Sequence, residues 1–175
     1  MSDPALSTRL VGGAVLRNEL VREVLEARLI SVLATFDLSR GIHAIPMWYA
    51  ATKDVILLAT GSNSRKVRNL EIDPRATLVL HDSRSGYEVC GASIAGAVEI
   101  VRGAEARPLV ALVHARYIAE SAHADPSVRP FLLSDDVALC LRPATAFTWD
   151  ERRSAASEAL RARGEALPLL STDPR

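Results

Sequence analysis

The sequence predicts an α+β fold built on a small antiparallel barrel, and three observations carry that expectation. Apolar, β-branched runs recur with short turn-forming links between them. The run over residues 87–101 is long for one strand and holds Gly91 and Gly96, small residues that let a curved strand turn a barrel corner. Three of the runs follow one another with only short turns between them before any helix, which means an antiparallel meander. At 175 residues and 49% hydrophobic, the chain suits one core, because a chain of this length buries roughly two-thirds of its unfolded surface.

Along the chain, residues 18–28 place Leu20, Val21, Val24 and Leu25 at helical spacing with Asn18 as cap. Residues 29–36 (LISVLATF) and 42–50 (IHAIPMWYA) read as strands joined across the turn 37–41, and 55–60 (VILLAT) as a third, giving a meander. Pro46 cannot donate a ladder hydrogen bond, so its strand belongs at an edge or a bulge. A short helix follows, with Ser62 or Ser64 as cap, Val67, Leu70 and Glu71 on one face and Pro74 as stop.

Residues 76–82 and the long run 87–101 continue the sheet. A helix within 103–122 presents Leu109, Leu112, Val113 and Tyr117 as its stripe. Two strands, 137–143 and 144–149, close the sheet, and a charged, Ala-rich helical tail occupies 151–163. The sum is six or seven antiparallel strands with two or three helices around them. Residues 1–150 form the barrel domain and 151–175 a C-terminal helical tail.

The 21 basic and 21 acidic side chains are interspersed, so no field exists to hold a phosphate backbone or an anionic membrane surface, which excludes general nucleic-acid and membrane-surface binding. No stretch approaches the ~20 apolar residues that span a bilayer, and the start MSDPALSTRL lacks a secretory pattern, so a cytoplasmic protein is expected. Cys90 and Cys140 sit in apolar runs and read as reduced core residues. His114 and His123 have no metal-like spacing and read as solvated; no metal site is expected.

The chemistry concentrates in residues 60–69, TGSNSRKVRN. Only two of the 21 basic residues are lysines, Lys53 and Lys66. Arg65 and Lys66 fall in the first turn of a helix, where the dipole disfavours cations by about 0.3–1 kcal/mol each. Two readings stand. Either both side chains point to water and Ser64 only caps, or the cations, the hydroxyls of Thr60, Ser62 and Ser64 and the free first-turn N–H groups form a phosphate cradle beside Gly61.

Ser64-Arg65-Lys66, then Asn69-Leu70 and Asp73-Pro74, follow a strand ending in Thr60 and two strands of the type ISVLATF and IPMWYA. This arrangement resembles the pyridoxamine 5′-phosphate oxidase-like, flavin-binding split β-barrel superfamily over roughly residues 21–101, and is most similar to its flavin/deazaflavin oxidoreductase branch. The resemblance implies a split β-barrel that binds FMN, or alternatively coenzyme F420. It assigns the cofactor phosphate to Thr60, Ser64, Arg65 and Lys66, with Asn69 close by, and the tricyclic ring to Pro46, Met47, Trp48 and Tyr49. Members are typically homodimers with the cofactor between subunits; Leu167, Leu169 and Leu170 of the tail would wrap the partner.

The implied activity is an FMN-dependent oxidoreductase passing a hydride to a small conjugated substrate, with the cofactor doing the redox chemistry. The alternatives are a coenzyme F420-dependent reductase and a non-catalytic flavin-binding protein. The family's pyridoxamine phosphate oxidases end in a segment containing Arg and His, whereas AFTWDERRSAASEAL contains no histidine, which argues against pyridoxamine phosphate as substrate. The absence of His after His123 also argues against haem. His43 reads as a surface strand histidine, and proton delivery is open between water, His43 and Tyr49. Trp149 reads as a core or dimer contact.

Overall fold

The computed structural model describes residues 7–39, 41–83 and 85–165. In chain order the elements are β1 (Ser7–Val11), α1 (Glu19–Glu26), β2 (Ser31–Asp37), β3 (Gly41–Met47), β4 (Tyr49–Ala51), β5 (Ile56–Thr60), α2 (Arg65–Ile72) and β6 (Arg75–Ser83). They continue as β7 (Val89–Arg102), α3 (Ala106–Tyr117), α4 (Arg129–Ser134), β8 (Val137–Asp150) and α5 (Ala155–Arg163). The strands form one antiparallel sheet in the order β3-β2-β6-β7-β8-β5-β4, with β1 also paired to β8.

β3 and β4 stand at opposite ends of that path yet are separated in the chain by Trp48 alone. The sheet therefore curls into a split barrel whose two edges meet at this residue. Residues 42–50 are expected as one strand; the structure divides them, because the first half pairs with β2 and the second with β5. Pro46, opposite Val32, lies on the edge strand β3, where a missing N–H costs no ladder bond.

β7 and β8 pair along nearly their whole length of 14 residues each, with a register shift between Ala95 and Gly96. A Cβ on Gly96 would come within 2.0 Å of the Arg142 carbonyl oxygen, and one on Gly91 within 2.4 Å of that of Leu80. Only glycine fits these corners. The strands expected at 137–143 and 144–149 are a single strand. Pro143 is tolerated inside it because β5 pairs as far as Leu141 and β1 begins at Thr145, so Pro143 falls between β8's two partners on that side.

Leu33, Ile56, Leu58, Leu78, Ile94 and Leu139 fill the interior, joined by Val21, Val24 and Leu25 of α1 and Val67 and Leu70 of α2. Each such side chain withdrawn from water contributes about 1.5–3 kcal/mol. The Asn18 side chain caps α1, accepting from Val21 N at 3.1 Å. On the outside, α3 covers Leu57, Ala59, Ala138 and Cys140 with Ala106, Val110 and Val113. The expected α3 stripe is thereby rotated: Val110 and His114 face the sheet, and Leu112 is 51% exposed. Glu71 likewise faces solvent, paired with Arg102 at 2.5 Å, and Asn69 takes its place on the buried face of α2.

Cys90 and Cys140 are buried free thiols, their pKa values raised by burial. In α5, Ser154 caps by accepting from Ser157 N, and the Ser157 hydroxyl lies 2.6 Å from Glu151 O and 2.9 Å from Tyr87 O, fastening the helix to the barrel. Leu167, Leu169 and Leu170 lie outside the described residues. No helix among the described residues is long and apolar enough to cross a membrane.

Candidate functional site

β5 delivers Thr60, and after four residues α2 begins at Arg65. Ser64 has the extended backbone of an N-cap, φ −73° and ψ 152°, but its side chain makes no capping hydrogen bond. Its hydroxyl instead accepts from Thr60 Oγ1 at 3.4 Å, and Thr60 Oγ1 accepts from Lys66 Nζ at 2.9 Å. Among the described residues, no side chain caps the first-turn N–H groups of α2 in the place where Lys66 folds back towards the sheet. Burial pushes the Lys66 ammonium below its ordinary pKa, and the charge of Asp135 partly opposes this.

Arg65 turns the other way. Its Nε donates to Asp37 Oδ2 at 2.7 Å, and Ser39 donates to Asp37 Oδ1 through N at 2.9 Å and Oγ at 2.7 Å. The Ser39 and Arg65 hydrogen bonds hold the Asp37 carboxyl well below the usual carboxylate range. Beneath them Asn69, 5% exposed, donates to Thr35 Oγ1 at 3.0 Å, which donates to His43 O at 3.4 Å. His43 is partly buried on its strand, and among the described residues its buried Nδ1 meets no hydrogen-bond partner. Burial and the charges of Arg65 and Lys66 hold its pKa below the ordinary value.

Thr60 and Lys66 line a cavity of about 250 Å³ together with Pro46, Met47, Trp48, Phe131 and Asp135. Trp48 stacks on Tyr117 at 4.9 Å and 7°, and Phe131 meets it edge-on at 5.4 Å. Asp135 Oδ2 lies 2.9 Å from His114 Nε2. The neighbouring Asp136 accepts from Ser62 N at 2.5 Å and Ser62 Oγ at 2.8 Å, while its own N–H donates to Thr60 O at 3.2 Å. Two successive carboxylates therefore tie the segment entering β8 to α3 and to the loop before α2.

Five of the residues singled out from sequence, Pro46, Met47, Trp48, Thr60 and Lys66, line this one cavity, with Ser64 hydrogen-bonded to Thr60. Arg65 and Asn69 adjoin it through Asp37 and Thr35. Tyr49 lies elsewhere: strand alternation turns it into the interior, where it is fully buried and its hydroxyl donates to Ala27 O at 2.7 Å, with Val24 O at 3.0 Å. Burial pushes its pKa up to about 12. His114 is 5% exposed and paired, not solvated, because α3 turns that face to the barrel. Trp149 is half-buried on the outer face, beside Phe147 at 6.3 Å and His81 at 6.1 Å. Asp135, Asp136 and Phe131 carry no motif; an Asp pair just ahead of a strand is the one local signal they leave.

The family model for pyridoxamine 5′-phosphate oxidase matches residues 18–150, the span from the α1 cap to the end of β8. The chain belongs to this family. Members bind flavin-type cofactors. Among solved structures, a conserved hypothetical protein from Mycobacterium tuberculosis is 26% identical, with a TM-score of 0.60 over 86% of this chain and 88% of that one. An F420 reductase is 23% identical, with a TM-score of 0.56 over 71% of this chain and 94% of its own. A heme storage protein from Vibrio cholerae is 14% identical, with a TM-score of 0.58 over 74% of this chain and 92% of its own. The last two share the pyridoxamine 5′-phosphate oxidase fold with this chain. No curated protein sequence matches it.

Proposed function

We propose that the protein is an oxidoreductase that holds the phosphate of a flavin-type cofactor at Lys66 and the α2 N-terminus and lays the tricyclic ring against Pro46, Met47 and Trp48. One observation carries this reading: Lys66, half-buried with Nζ on Thr60 Oγ1 beside a helix start without a side-chain cap, lines the same cavity as the aromatic side chains of Trp48 and Phe131. An ammonium, the Ser64 hydroxyl and first-turn N–H groups are the donor set that a phosphate takes. His43 Nδ1, buried and without a hydrogen-bond partner among the described residues, adds a polar atom beside the same cations.

FMN fits this donor set and supplies hydride acceptance and donation when bound. Lys66 and Ser64 bind the phosphate; Trp48, braced by Tyr117 and Phe131, keeps one side of the ring dry. With the Tyr49 hydroxyl committed to α1 carbonyls, a proton comes from water or His43. The substrate in this reading is a small conjugated acceptor. A second reading, coenzyme F420 as the cofactor, draws on the carboxylates of Asp37, Asp135 and Asp136 around the two cations, since its phosphate is a diester of lower charge.

A homodimer completes the site in this account. The cavity is smaller than the roughly 300–1,000 Å³ usual for small-molecule sites. The outer face of β2, β3 and β8 leaves Phe36 44%, Ile42 74% and Phe147 50% exposed, an apolar surface for a second copy of the chain. The absorbance spectrum and mass of the cofactor that copurifies test the reading, followed by turnover with reduced nicotinamide or reduced deazaflavin. A bound flavin or deazaflavin that turns over supports it; a tightly held cofactor that never turns over makes the protein a carrier, and failure to hold any such compound ends the reading.

A further inference from the structure

Three carboxylates, Asp37, Asp135 and Asp136, stand about Arg65, Lys66 and the loop before α2. Arg65 is already bound to Asp37, so its charge is largely spent within the protein. Asp136 gives both oxygens to Ser62. Asp135 differs: only its Oδ2 is engaged, by His114, and among the described residues no hydrogen bond reaches its Oδ1. Its side chain is 16% exposed and that of His114 6%, so the carboxylate is fixed in place and poorly screened by solvent. It lines the same small cavity as Lys66 and Trp48.

We propose that Asp135 selects the charge of the bound phosphate, admitting a singly charged phosphodiester and disfavouring a doubly charged phosphomonoester. The proposal deepens the second cofactor reading above, coenzyme F420 in place of FMN, and rests on the phosphate site at Lys66. A phosphomonoester carries about −1.5 to −2 charges at neutral pH, against one for a diester. Lys66, the cation among the described residues that lines the cavity, neutralises one charge; a second negative charge faces a carboxylate that His114 prevents from swinging away. At the separations possible within so small a cavity, one extra unit of like-charge repulsion amounts to roughly tenfold or more in affinity. The pair also explains the burial of His114, which otherwise serves no part of the site.

The test titrates the full-length protein, freed of cofactor, with riboflavin, riboflavin 5′-phosphate and the monomethyl ester of that phosphate, following flavin fluorescence. The three share one ring and differ in phosphate charge. The wild-type protein is expected to bind the methyl ester at least about tenfold more tightly than the phosphomonoester. Asp135→Asn is expected to cut that preference below threefold by tightening the monoester, and Asp135→Glu to keep it. Absence of the preference in the wild-type protein overturns the proposal without any variant having to fold, as does an Asp135→Asn protein that retains it. If neither phosphorylated compound binds better than riboflavin, the phosphate site itself is refuted, and the charge selection falls with it.

Discussion

The guanidinium of Arg116 lies 4.8 Å from the centroid of the Tyr49 ring, and both side chains end on the same acceptor, Ala27 O, at 2.6 Å from Arg116 Nη2 and 2.7 Å from the Tyr49 hydroxyl. The last turn of α1 has no basic residue of its own, so its carbonyls are satisfied from α3 and β4. Tyr49→Phe removes one of these donors from a buried site and is expected to destabilise the protein by about 1–3 kcal/mol, read by urea denaturation. A double-mutant cycle with Arg116→Met should show coupling between the two; strict additivity would mean that they act independently.

Gly96 sets the corner of the barrel. Gly96→Ala forces a methyl group towards the Arg142 carbonyl and is expected to cost at least about 2 kcal/mol. Gly86→Ala, where a Cβ meets nothing within 4 Å, is the control and should stay within about 0.5 kcal/mol. Equal effects in denaturant melts would refute the corner assignment.

Acid should unfold the protein in two stages. The folded carboxyls of Asp37, Asp136 and Asp150 titrate below their ordinary value, and that of Asp73 is lowered to about 2 by Arg75. Between roughly pH 4 and pH 2 the unfolded chain therefore binds more protons, so stability is lost as pH falls through that window. His43 has the same sign at a higher pH: its folded pKa lies below 6.5, the unfolded imidazole takes up the proton first, and stability declines as pH falls through about 6.5. A thermal midpoint that holds steady from pH 7 to 5.5 in the wild-type protein, and equally in His43→Gln, would contradict the His43 part.

An anion bound between Lys66 and His43 would reverse that depression. The His43 imidazole, followed by NMR, should titrate below its ordinary value in the free protein and move up when riboflavin 5′-phosphate is added, but not with riboflavin. No movement with either compound would place the phosphate elsewhere.

Local chemistry made much of the barrel readable. Alternating β-branched runs, the Asn18 cap, the edge position of Pro46 and the glycine corners depend on neighbours in sequence, and the structure has them where the pattern puts them. The departures are long-range. Trp48 and Tyr49 belong to one apolar run, yet the jump between sheet edges sends one to the cavity and the other to the interior. Pro143 looks like a break until β1 and β5 are seen to share the far side of β8. His114 and Asp135 are 21 positions apart, on elements whose contact depends on how α3 lies across the sheet, and no spacing rule anticipates it.

The central claim is that Lys66 holds a phosphate, and the dissociation constants of riboflavin 5′-phosphate and riboflavin for the wild-type protein and Lys66→Ala test it most directly. The account predicts that the substitution weakens the phosphorylated compound at least about tenfold, as loss of a charge-assisted contact should, and leaves riboflavin within twofold, with the circular dichroism spectrum unchanged. A Lys66→Ala variant that binds riboflavin 5′-phosphate as tightly as the wild-type protein does would contradict it.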